Sequence, residues 1–211
     1  MGDKPPTPNR TAAPAERDVA AFQERAATYE QGRLGRLHHD IADRAADLAL
    51  STRPDPRRVL DIGCGTGYLL RSLASHCPGT EQLDGLDPAP SMIEIATSSS
   101  NDGRLRFTTG VAEHLPYPDD TFDLVVTTTS FDHWSDQQAG IRECARVLQP
   151  SGQLVLTDLF SLWLVPTLLV GRRGKARTKQ RATKLLHTAG FSAVTWHNLY
   201  AVIINAATAT L

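Results

Sequence analysis

The apolar positions of this chain change period along its length, and each change marks an element. From about Glu16 they fall at helical spacing. Leu34, Leu37, Ile41, Ala45 and Leu48 recur at steps of three and four, which predicts one buried helical stripe. Pro54 and Pro56 end that segment. Beyond them, short apolar runs alternate with helical stretches. Arg58 to Ile62 predicts a buried strand, and Tyr68 to Ser75 a helix with Leu69, Leu70 and Leu73 inward. Gln82 to Asp87, Leu105 to Thr109, Phe122 to Thr128 and Gln153 to Asp158 predict four more strands. Ser91 and Glu94 have capping-box spacing, each side chain able to satisfy the other's exposed amide, and predict a helix to about Ser98. Ser135 and Gln138 repeat that spacing ahead of a helix to Leu148. Gln149-Pro150-Ser151-Gly152 reads as a turn. Thr178 to Ala189 predicts a last helix, closed by Gly190 in the left-handed conformation. Ala193 to His197 and Tyr200 to Ala206 follow directly as two strands.

This alternation predicts an α/β fold: one doubly wound, mostly parallel sheet with helices on both faces. Two strands in direct succession at the end predict one antiparallel member. Residues 1–15 carry four prolines and little large apolar surface, so they are expected to be a disordered tail. Residues 16–50 would form an N-terminal helical cap, and residues 51–211 the sheet domain.

Bulk properties narrow the function classes. A net charge of -1 gives no general electrostatic attraction to nucleic acid, so no such partner is expected. Cys64, Cys77 and Cys144 show no paired spacing, which predicts neither a disulfide framework nor a zinc site and points to a reducing cytoplasm. Met1 to Ala15 is polar rather than apolar, unlike a signal peptide. The run Leu159 to Val170 contains Pro166 and is too short to span a bilayer.

The chemistry starts in the loop after the first strand. Gly63, Gly65 and Gly67 occupy alternate positions between a strand and a helix. Glycines there let a ligand approach the backbone, and the following helix presents its amides. A dinucleotide site would read G-x-G-x-x-G. This loop reads G-x-G-x-G with Asp61 in front, which repels a pyrophosphate and suits a ligand carrying an ammonium group. Asp87 ends the second strand 20 residues after Gly67, where a carboxylate can accept hydrogen bonds from a ribose diol. Gly110-Val111-Ala112-Glu113 follows the third strand, where an adenine edge would lie.

With these elements placed, the sequence resembles the class I S-adenosylmethionine-dependent methyltransferases. Within them it resembles the broad small-molecule branch related to the ubiquinone and menaquinone biosynthesis enzymes. The matching segments are VLDIGCGTGYLL (59–70), GLDPAPSMIEIA (85–96), GVAEHLPYPDDTFDLVV (110–126) and RVLQPSGQLVLTD (146–158). Ala27-Thr28-Tyr29-Glu30 is similar to the family's N-terminal element that closes over the cofactor. The resemblance implies a Rossmann-like, seven-stranded sheet in the order 3-2-1-4-5-7-6 with strand 7 antiparallel. It implies S-adenosylmethionine as cofactor and S-adenosylhomocysteine as product. Asp61 and the backbone of Gly63, Cys64 and Gly65 would hold the methionine part, Gly67 would belong to the same cofactor-binding loop, and Tyr29 would close over the cofactor. Asp87 would bind the ribose, Pro88 and Met92 flank the adenine, and Ala112 and Glu113 reach its amino edge. Thr128 would line the site at the end of the fourth strand.

Family members often carry His-His or Leu-His after that strand, whereas this chain reads Phe131-Asp132-His133-Trp134. His133 is the candidate base for the acceptor proton, a role that adds roughly 10²–10⁴-fold. The competing reading has His133 capping the next helix or packing on Trp134. Asp132 would orient that base or recognise substrate. His38 and His39 point about 100° apart on a helix, so at most one is expected to face the site. Asp119, Asp120 and Asp123 read as a solvated turn, and no metal is expected. The basic run from Arg172 to Lys184 reads either as a solvated helix face, or as a lid for an acidic or lipid-like acceptor, or as a contact with a membrane surface. The partner implied is a small-molecule acceptor. A homodimer is compatible with the pattern, and so are a lipid-like or macromolecular acceptor and a non-catalytic cofactor-binding role. A base-amino methyltransferase would carry Asn/Asp-Pro-Pro-Tyr/Phe where Thr129-Ser130-Phe131-Asp132 stands.

Overall fold

A computed structural model of the chain describes residues 14–160, 178–201 and 203–211. Most of the expected tail, most of the apolar run to Val170 and the basic residues up to Arg177 lie outside the described residues.

Seven strands form one sheet in the order β3-β2-β1-β4-β5-β7-β6. They are β1 (Arg58–Ile62), β2 (Gln82–Asp87), β3 (Leu105–Thr109), β4 (Phe122–Thr128), β5 (Leu148–Leu159), β6 (Ala193–Tyr200) and β7 (Ile204–Thr210). The first five are parallel where they pair, and β7 runs antiparallel to both β5 and β6. The order and the antiparallel strand are those the family resemblance implies. Among the described residues the helices are α1 (Pro14–Arg25), α2 (Gly32–Thr52), α3 (Tyr68–His76), α4 (Pro90–Ser98), α5 (Gln137–Val147) and α6 (Lys179–Thr188).

Period-two alternation builds two cores. Val59, Leu83, Leu124, Val126 and Val155 pack with Ile41 and Ala45 of α2 and Leu70 and Leu73 of α3. Leu60, Ile62, Leu86, Val125, Leu154 and Leu156 turn the other way, onto Ile141 of α5 and Leu186 of α6. The central strands β1, β2, β4 and β5 thus feed both layers, as in a sheet covered on both faces.

Several local expectations need correction. Helix α1 already starts at Pro14, inside the expected tail, because proline suits a first helical turn. Leu34 is 48% exposed: it lies in the first turn of α2, outside the buried stripe. Ser91 forms no capping box; α4 starts at Pro90 and the Ser91 hydroxyl donates to Gln23 O of α1 at 3.3 Å. The cap of α5 is Asp136, whose carboxylate accepts from Gln138 N and Ala139 N, so the expected start at Ser135 is one residue early. The turn expected at residues 149–152 becomes a bulge within β5: Phe122 pairs with Leu148, Leu124 with Gln153, and Ser151 takes φ +64°. Tyr200 ends β6 rather than opening β7, which starts at Ile204. Gly190 closes α6 as expected, at φ +106°.

Candidate active site

The carboxyl ends of β1, β2, β4 and β5 lie along one edge of the sheet, with β1 between β2 and β4. That is the switch point where doubly wound sheets open a crevice. The glycine loop crosses it. Gly63 N and Cys64 N both donate to Leu86 O, at 2.7 and 3.1 Å, which bends the chain sharply out of β1. Gly63 has φ +76°, and a Cβ there would collide with the side chain of Ser130. Ser130 was not foreseen as a site residue. Its hydroxyl donates to Ile62 O at 2.8 Å, lies 2.6 Å from Thr127 Oγ1 and accepts from Trp134 Nε1 at 3.3 Å. It stitches the end of β1 to the turn after β4. Gly67 caps α3 at φ +79°, and a Cβ there would meet Phe107 at 2.7 Å. Its glycine serves packing, since Gly67 lines neither cavity described below.

Two buried carboxylates flank the loop. Asp87 Oδ2 accepts from Gly65 N at 3.0 Å, and Oδ1 from Ala89 N at 2.9 Å. Burial raises its pKa while these two amides lower it. Asp61 is 2% exposed, and burial followed by the charge of Asp87 pushes it up to about 8. Two acids in a low dielectric resist a second negative charge, so a cation between them is favoured. The same burial pushes the Cys64 thiol well up, which makes it a poor nucleophile.

Two cavities meet at this loop, of about 770 and 490 Å³, and share Tyr29, Gly63, Gly65, Thr128 and Thr129. The larger brings together Asp87, Pro88, Met92, Ala112, Glu113 and His133. The smaller brings together Asp61, Cys64, Thr66 and, contrary to expectation, both His38 and His39. The smaller cavity reaches both rings: His38 stacks on Tyr29 at 4.8 Å and His39 on Tyr68 at 3.8 Å. Among the described residues, Thr128 Oγ1 and His38 Nδ1 are buried without a hydrogen-bond partner. Orphaned polar atoms beside a cation-favouring acid pair fit a ligand with an amino-acid end and a sugar.

The N-terminal segment roofs the larger cavity. Val19 and Phe22 of α1 line it, and Ala26 is buried with Ala89 and Met92. Glu30 holds the turn before α2 by accepting from Thr66 Oγ1 and from Arg71 at 3.0 Å. Asp18 Oδ2 lies 2.9 Å from His133 Nδ1, and Phe22 meets that ring edge-on at 5.1 Å. Asp132 lines neither cavity, and its amide donates to Asp158 Oδ2 at 3.0 Å. Glu113 lines the larger cavity while accepting from Asp136 N at 3.0 Å. Asp119 pairs with Arg146 at 2.8 Å, and buried Asp123 accepts from Arg57 N and Arg58 N. No described helix is long and apolar enough to cross a membrane.

Residues 60–156 match the family described as a methyltransferase domain. Over 116 residues, 55% of this chain and 48% of the relative, the sequence is 38% identical to the demethylmenaquinone methyltransferase of Thermotoga maritima. It is 36% identical over 107 residues, 49% of this chain and 41% of the relative, to the uncharacterised methyltransferase YcgJ of Bacillus subtilis. The chain spans about half the length of the curated relatives it matches. Among solved structures, a chain of the Haloferax volcanii complex containing the Trm112 methyltransferase activator has the same fold. Its TM-score is 0.78 at 20% identity, over 90% of this chain and 96% of that one. The [4+2]-cyclase SpnF gives a TM-score of 0.64 at 26% identity, over 74% of this chain and 60% of that one. Motif, strand order and relatives together make the chain similar to the class I S-adenosylmethionine-dependent methyltransferases, and among them to the ubiquinone and menaquinone biosynthesis methyltransferases.

Proposed function

We propose that the chain transfers a methyl group from S-adenosylmethionine to a small-molecule acceptor, as an enzyme of the cytoplasm. The observation that carries this reading is the acid pair Asp61 and Asp87 around the glycine loop, Asp61 on the smaller cavity and Asp87 on the larger one that also holds His133. When bound, the cofactor supplies a methyl group on a sulfonium, already activated for displacement. The protein's task is then alignment, which contributes about 7–11 kcal/mol in favourable cases. In this reading Asp61 and the amides of Gly63, Cys64 and Gly65 hold the methionine end, and Gly67 shapes the helix start behind them. Asp87 holds the ribose; Pro88, Met92, Ala112 and Glu113 hold the adenine; Tyr29 and Thr128 border the transfer point. His133 removes the acceptor proton, whose electron pair stays on the acceptor to form the new bond. Residues 16–50 act as the cap and residues 51–211 as the catalytic domain. The buried, unbridged thiols of Cys64, Cys77 and Cys144 support a reducing compartment.

The Thermotoga maritima relative is named for demethylmenaquinone, which favours a quinol-like acceptor with an acidic carbon or hydroxyl. Incubation with methyl-labelled S-adenosylmethionine and a demethylated quinol tests this directly. Label in the quinol, lost in His133→Ala, supports the reading; labelled cofactor consumed by no acceptor refutes it. A second reading, a cofactor pocket serving another reaction, is favoured by the likeness to the cyclase. It predicts cofactor binding without methyl transfer to any acceptor.

A further inference from the structure

We propose that Asp18, on helix α1, positions the ring of His133 through its Nδ1 and so couples closure of the cavity roof to preparation of the base. The inference rests on the reading of His133 as the acceptor's base. Asp18 and His133 are 115 positions apart in sequence yet 2.9 Å apart at Oδ2 and Nδ1, and both line the larger cavity. An ionised carboxylate only accepts hydrogen bonds, so the ring nitrogen facing it carries the proton. The neutral ring is then held as the Nδ1–H tautomer, which makes Nε2 the basic nitrogen. The acceptor's proton passes to Nε2, and Asp18 compensates the charge that the ring gains.

The other side of the ring is fixed as well. Phe22, one turn further along α1, meets it edge-on at 5.1 Å. His133 N donates to Ser130 O at 2.9 Å, which anchors its backbone to the turn after β4. Asp158 lies behind that turn, its carboxylate accepting from Asp132 N and Leu159 N. Helix α1 therefore brings both the carboxylate and the aromatic edge. A ligand entering under α1 displaces both, and the ring regains its orientation only when the roof returns. Dry closure and a prepared base become one event, which suits chemistry that water would compromise.

Histidine ring nitrogens of uniformly ¹⁵N-labelled protein, followed by long-range proton–nitrogen correlation, read the tautomer directly. His133→Gln assigns the signal by deleting it. In the wild type, the neutral ring of His133 should carry its proton on Nδ1. Asp18→Ala should shift the tautomer ratio at least threefold toward Nε2–H, Asp18→Glu should restore most of it, and exposed Arg17→Ala should leave it unchanged. A wild-type ring protonated on Nε2, or a ratio indifferent to Asp18→Ala, overturns the proposal. Calorimetric titration with S-adenosylhomocysteine separates this from the cofactor reading. Asp18→Ala should bind within about threefold of the wild type, and a loss above tenfold would make Asp18 part of the cofactor site instead. Failure of the wild type itself to bind would refute the cofactor reading, while the tautomer result would still decide the role of Asp18.

Discussion

Gly65 N donates to Asp87 Oδ2 at 3.0 Å, so the end of β2 holds the middle of the glycine loop that leaves β1. The same carboxylate accepts from Ala89 N at 2.9 Å, which fixes it on the helix α4 side. Asp87 thus braces the loop before any ligand arrives. Removing it costs the brace and, under the proposed function, the ribose acceptor as well. Hydrogen bonds to charged groups contribute about 1.5–3 kcal/mol, so Asp87→Ala should weaken S-adenosylhomocysteine binding by roughly 10–100-fold. Asp87→Asn, which leaves one acceptor oxygen, should lose less. Isothermal titration of the three proteins checks the order.

Asp61 gives the site a pH signature. Its carboxyl is raised to about 8, first by burial and then by Asp87. The folded protein keeps this proton where the unfolded chain has released it, since an ordinary aspartate titrates near about 4. Its stabilising contribution is therefore complete below about pH 4 and is lost as pH rises toward about 8. Melting temperatures of the cofactor-free protein should fall more steeply over that window in the wild type than in Asp61→Asn. Ligand affinity should run the opposite way, because an ammonium group favours the ionised carboxylate. Binding should tighten by up to about tenfold per pH unit approaching the Asp61 pKa, and Asp61→Asn should flatten the trend.

Gly63 and Ser130 form a steric pair. Gly63→Ala places a methyl group on the Ser130 side chain at φ +76°. Overpacking and a left-handed backbone together should cost roughly 2–4 kcal/mol. Ser130→Gly in the same chain should relieve the collision but not the backbone strain. Denaturant unfolding of both single variants and the double variant should therefore be non-additive, with the double more stable than the sum of the singles predicts.

The cap of α5 offers a local test. Asp136 accepts from Gln138 N and Ala139 N, both at 3.0 Å, so Asp136→Ala should destabilise by about 1 kcal/mol. Ser135→Ala should change stability by less than about 0.5 kcal/mol. Equal losses would return the helix start to Ser135.

The sheet was legible because its central buried strands β1 and β4 leave apolar runs, and Gly and Pro turns bound the more polar β2 and β3. β1, β2, β3 and β4 match the expected bounds, and family order supplied the strand arrangement. The helix starts were less legible, because Ser91 and Ser135 each stand beside a residue that takes the structural role instead. Pro90 starts α4, and Asp136 caps α5. The glycine loop and Asp87 carry motif spacing, so their position could be read from the sequence alone. Asp18, Phe22 and Ser130 carry none. Asp18 reaches His133 across more than a hundred residues, and a contact of that kind exists only once α1 lies over the sheet edge. For Ser130 the one available signal was its place just past Thr128, where the strand end must turn. Helix geometry separates the rings of His38 and His39, yet the smaller cavity extends along both, which the helical spacing alone does not reveal.

Calorimetric titration of the wild-type protein with S-adenosylhomocysteine, with NAD as the comparison ligand, tests the central claim most directly. S-adenosylhomocysteine should bind saturably at one site, weakened at least tenfold by Asp87→Ala, and NAD should not bind. Binding of NAD, or S-adenosylhomocysteine binding that Asp87→Ala leaves unchanged, would contradict the claim.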